Sequence, residues 1–101
     1  MTQSVIHQPR VAWDGARAFV YAAAGPDYDA FAGRVADRLD PEIHDALAAT
    51  REHILTDWSR TGGDRHATDI ELGRWRVRLE DLLRSHPEHT GALLDLIAAI
   101  H

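Results

Sequence analysis

Four breaks punctuate this chain, and each combines residues that stop one helix or start the next. They are Gly25-Pro26, Asp40-Pro41, Thr61-Gly62-Gly63 and Ser85-His86-Pro87-Glu88. Glycine accepts the left-handed backbone that closes a helix, and proline cannot continue one but suits its first turn. Between the breaks apolar residues recur at spacings of three and four, and no stretch alternates as a half-buried strand does. The pattern predicts an all-α fold, a compact bundle or orthogonal array of about five helices joined by short connections.

Pro9 opens the first helix, which runs to Ala24 with Trp13, Ala16, Val20 and Ala23 on one side and Phe19 at its edge. Asp27 is placed to cap the second, whose buried stripe is Tyr28, Phe31, Ala32, Val35 and Leu39, with Arg34, Asp37 and Arg38 toward water. The third starts at Asp40-Pro41 and reaches about Trp58, carrying Ile43, Leu47, Ile54 and Trp58 with Ala46 and Thr50 beside them. Ser59 to Ala67 reads as the one extended loop.

Two Ser/Thr-x-x-Glu capping boxes, Thr68 with Glu71 and Ser85 with Glu88, mark the starts of the last two helices. Leu72, Trp75, Leu79, Leu82 and Leu83 form the core face of the fourth. Ile70 and Val77 make a smaller strip on its opposite side, flanked by Arg74, Asp81 and Arg84. The closing helix is apolar nearly all round, with Asp95 its only charge, which predicts burial within the domain or an oligomer. It is shorter than the roughly 20 residues of a membrane span. Residues 1–8 read as a flexible lead-in and 9–101 as a single helical domain.

Composition narrows the chemistry. All 11 basic residues are arginine, so no lysine Schiff base or phosphate-loop lysine is available. Cysteine is absent, which removes disulfides, thiolate metal sites and cysteine nucleophiles. The net charge of -5 disfavours a general nucleic-acid binder. Arg60, Arg65, Arg74, Arg76, Arg78 and Arg84 are interleaved with five carboxylates, and Arg76, Glu80 and Arg84 have the spacing of helical ion pairs. Met1 to Gln8 lacks a basic region followed by an apolar core, so the expected location is the cytoplasm, with no membrane partner.

Seven histidines raise the question of a metal. Asp64, His66 and Asp69 lie in or beside the loop, and His86 and His89 flank Pro87 and Glu88 at the last corner. Neither set matches the HExxH pair of a zinc hydrolase, and the simpler reading is a polar linker and an exposed corner. His44 and His53 fall on different sides of the third helix. Ser4, Ser59 and Ser85 offer no convergent triad. No catalytic residue, cofactor or metal is therefore assigned. Trp13, Trp58 and Trp75 are expected in the core. Ile70, Arg74, Val77 and Arg84 are the expected partner contact, because apolar centres rimmed by arginine recur at interfaces. The functional expectation is a non-enzymatic protein-protein interaction or accessory module, as a homodimer or beside a larger protein. The alternative is a small-ligand or metal-binding helical protein using the loop and corner histidines.

The pattern Leu79-x-x-Leu82-Leu83-x-x-His86-Pro87-Glu88, followed by Leu93-Leu94-x-x-Ile97, resembles the end of small uncharacterised all-helical modules encoded by actinobacteria. The resemblance covers the C-terminal pair of helices and, more loosely, the Trp13 helix. It implies an accessory or interaction domain and carries over no catalytic residue.

Overall fold

The computed structural model describes residues 8–63 and 65–100. Among them are five α-helices, α1 (Gln8–Ala24), α2 (Tyr28–Arg38), α3 (Pro41–Thr61), α4 (His66–Ser85) and α5 (Thr90–Ile100), with a 3-10 turn at Pro87–His89 between the last two. No described residue lies in a strand, as the apolar spacing requires. The predicted lead-in lies outside the described residues except at Gln8, which already belongs to α1.

α1 is the centre of the molecule and packs against each of the other four helices. Its apolar residues are small and arranged nearly all round: Val11, Ala12, Ala16, Ala18, Phe19, Val20, Ala22 and Ala23 are all buried. Alanines let neighbouring helices come close, and Gly15 takes this furthest. A Cβ at Gly15 would stand 2.8 Å from Leu79 Cδ1 and 3.5 Å from Leu93 Cδ1, so α4 and α5 both close on the same bare stretch of backbone. The carbonyls that α1 leaves unpaired at its end are met by Arg51 of α3, which donates to Ala23 O at 2.8 Å and Gly25 O at 3.2 Å. The Arg51 guanidinium lies 4.7 Å from the Tyr28 ring, a cation-π contact that ties the α1–α2 corner to α3.

The aromatic heart of the core is Trp75, fully buried, with Phe19 beside it at 4.9 Å and Phe31 edge-on to Phe19 at 5.0 Å. The stripes read for α2, α3 and α4 are largely as expected, with Phe31, Val35, Leu47, Ile54, Leu79 and Leu83 all buried.

Several local expectations are corrected. Trp13 is not core but 39% exposed, because α1 is enclosed on its other sides and its one free arc falls there. α3 ends at Thr61 and α4 begins at His66, so the long loop shrinks to residues 62–65; Gly62, at φ 76°, donates its N–H to Trp58 O and closes α3. Neither capping box forms. Thr68 already lies inside α4, and Glu71 is drawn away toward α3. Ser85 is the last residue of α4 instead of the start of α5. Asp27 and Asp40 likewise make no side-chain cap, although backbone carbonyls at both positions accept from the following turns. α5 is not enclosed: Leu93 and Leu96 are buried, but Leu94 is 40% exposed and Ala98 and Ala99 face outward, because α5 is an end layer resting on α1 and α2.

Candidate functional site

The free arc of α1 carries Trp13, Arg17 and Tyr21, spaced i, i+4 and i+8 so that they form one ridge. All three are exposed, Tyr21 at 68%. Arg17 lies 5.6 Å over the Trp13 ring and 3.7 Å from Asp14, which also faces Arg10 at 3.8 Å. Tryptophan, tyrosine and arginine are the residue types that dominate binding energy at protein interfaces. A hollow lies on each side of the ridge. One, of about 450 Å³, is bounded by Asp14, Arg17, Ala18, Tyr21 and Ile100. The other, of about 400 Å³, lies toward α4 and is lined by Val20, Ala24, Pro26, Trp58, Thr68 and Leu72 along with Arg17 and Tyr21.

This second cleft is almost wholly apolar, yet two of its lining residues hold unspent polar atoms. Trp58 Nε1 and Thr68 Oγ1 are covered from water and have no hydrogen-bond partner among the described residues. A buried donor left unpaired costs about 1–3 kcal/mol, so such atoms are uncommon and point to something that can satisfy them.

The strip predicted on α4 is exposed. Ile70 is 37% and Val77 50% accessible, and neither is covered by α1. Its arginines are engaged along the helix: Arg74 donates to Glu71 Oε2 at 3.0 Å, and Arg84 pairs with Asp81 instead of Glu80. The Arg76–Glu80 pair does form, at 3.4 Å.

Glu71 is the hub of a polar network that sequence spacing did not reveal. Its side chain is 5% exposed and accepts from Thr50 Oγ1 at 2.9 Å and from His53 Nδ1 at 2.7 Å, while Trp75 Nε1 donates to Thr50 Oγ1 at 2.8 Å. Burial pushes the Glu71 carboxyl upward, but the hydrogen bonds from His53 and Thr50 and the charge of Arg74 outweigh it and hold the group below its usual range. Its partners lie 18 and 21 residues away, and no local motif signals them.

The metal-ligand candidates separate into two cases. Asp64 lies outside the described residues, and among the described residues no third donor joins His66 and Asp69. The corner does converge: donor atoms of His86, Glu88 and His89 all lie within 4.8 Å of one another. The sequence reading assigns these histidines to an exposed corner because Pro87 separates them at a helix start. In the structure Pro87–His89 form a 3-10 turn and His86 precedes it with a non-helical backbone, φ -135° and ψ 71°. The two imidazole rings are 5.3 Å apart.

No helix is long and apolar enough to cross a membrane among the described residues. Comparison with protein-family models, with curated proteins and with solved structures returns no match for this chain.

Proposed function

We propose that this protein is a non-enzymatic helical interaction module that works by protein-protein contact, and that its first partner is a second copy of itself. The observation that carries this reading is the Trp13–Arg17–Tyr21 ridge with a hollow at its side. Two α1 helices laid antiparallel about a two-fold axis, centred between Gly15 and Ala16 along the helix, would set Asp14 of each copy opposite Arg17 of the other. The same axis places each Trp13 over the other copy's Ala18, at the hollow that reaches to Tyr21 and Ile100. A two-fold interface requires such self-complementarity, and here one helix face supplies both the charge pair and the aromatic anchor. The Ile70, Arg74, Val77 and Arg84 strip lies on α4 and remains available for a larger protein.

Light scattering over a concentration series should give a dimer mass. Trp13→Ala should weaken association by about 10-fold or more, the order of an interface hot spot. Arg17→Asp should abolish the dimer by setting like charges together, and the double swap Asp14→Arg with Arg17→Asp should restore it. A monomer at all concentrations would refute self-association, and Val77→Asp would then be the diagnostic variant for the α4 strip.

A second reading, small-ligand binding, draws on the unpartnered Trp58 and Thr68 atoms beneath an apolar cleft of ligand size. The occupant would be a small amphipathic carboxylate, with its apolar body in the cleft and its oxygens accepting from Trp58 Nε1 and facing Arg17. Titration with benzoate and with octanoate should move the Trp58 indole N–H resonance in a saturable way that Thr68→Val weakens. An unmoved resonance with both would eliminate this reading.

A further inference from the structure

We propose that the α4–α5 corner is a binding site for one first-row divalent transition ion, held by His86, Glu88 and His89, with Asp40 as a supporting group beside His89. In a tetrahedral site with ligands at about 2.0–2.2 Å, donor atoms stand about 3.4 Å apart. His86 Nδ1 and Glu88 Oε2 are 3.2 Å apart, so one edge of that tetrahedron is already near its length. The donor atoms of all three corner residues lie within 4.8 Å of one another, and Asp40 Oδ1 faces His89 Nε2 at 3.8 Å from the side.

The backbone beneath them is well fixed. His86 N–H donates to Leu82 O at 2.7 Å, His89 N–H to His86 O at 2.9 Å, and Thr90 Oγ1 to Pro87 O at 2.7 Å. His89 is the most enclosed of the three donors, at 22% side-chain exposure, and faces Asp40 at the α2–α3 junction. Two imidazoles and a carboxylate make a mixed nitrogen and oxygen set that suits zinc and its neighbours better than magnesium or calcium, and the Asp40 carboxylate beside His89 adds favourable charge. An ion taken up only by the folded corner would stabilise the fold.

The test is calorimetric titration of the full chain with zinc chloride, paired with thermal melts. The expected result is one ion per chain and a higher melting temperature in zinc, since a ligand taken up only by the folded state raises apparent stability. His89→Ala and His86→Ala should each weaken binding by roughly 10- to 100-fold, and Asp40→Asn by about 10-fold, the order seen when a supporting group of a metal site is removed. His66→Ala should leave it unchanged. Glu88→Gln keeps the shape of an exposed side chain, so loss of binding in that variant with unchanged circular dichroism reports ligation and not misfolding. No binding, binding that survives the His86→Ala/His89→Ala double substitution, or equal loss in His66→Ala would each overturn the proposal.

Discussion

Replacing Trp75 with alanine should lower stability by about 4 kcal/mol, the order seen when a fully buried large aromatic is removed from a core. In a chain of this size that corresponds to a fall in melting temperature of roughly 20 °C. Two losses combine in the figure. The indole is fully buried beside Phe19, which is itself edge-on to Phe31, so its removal opens a void beside α1. The indole N–H also donates to Thr50. Trp75→Phe separates the two, because it retains most of the packing and removes only the donor. Chemical denaturation should place it about 1–2 kcal/mol below the wild type, and a Trp75→Phe variant as unstable as Trp75→Ala would show that the hydrogen bond outweighs packing.

The second large effect is expected at Glu71. Glu71→Ala should cost about 2–3 kcal/mol, because it removes the acceptor for both Thr50 and His53 at a position otherwise closed to water. Its pH dependence has a definite sign. The folded carboxyl titrates below its ordinary value of 4.5, so the unfolded chain binds the proton more readily. The stabilisation it provides is therefore complete above about pH 4.5 and is lost as pH falls through the lower folded value. Glu71→Gln should flatten this acid limb. A variant whose acid limb is as steep as the wild type would assign that limb to other carboxylates.

The elements that were legible in the sequence are those in which local chemistry and tertiary packing agree. At the end of α3, glycine both ends the helix and provides the left-handed backbone at Gly62. The Trp75, Leu79 and Leu83 face of α4 follows directly from its period. The capping boxes failed where a tertiary partner outcompeted a local one. The Thr68-x-x-Glu71 spacing is correct, but a carboxylate offered Thr50, His53 and Arg74 has no reason to turn back to its own helix start. On α1 only Trp13 failed, and for another reason: Ala16, Val20 and Ala23 of the same stripe are buried, whereas Trp13 falls on the arc that the four surrounding helices leave open, and a helical wheel does not show how many neighbours a helix has. The ridge therefore became visible only once its surroundings were known. The histidine corner depended on the backbone at His86, which leaves the helical region just before the Pro87–His89 turn, and spacing alone does not decide this.

The placement of α1 also has a consequence for how the chain comes into being. A ribosome releases α1 before any other described helix, yet the faces it must bury are completed by α4 and α5, the last to emerge. For most of its synthesis the central helix of the finished protein thus has only α2 and α3 to rest on, and its contacts with α4 and α5 are still missing. Productive folding must wait for contacts far apart along the chain, which slows the search relative to a bundle built from sequential hairpins.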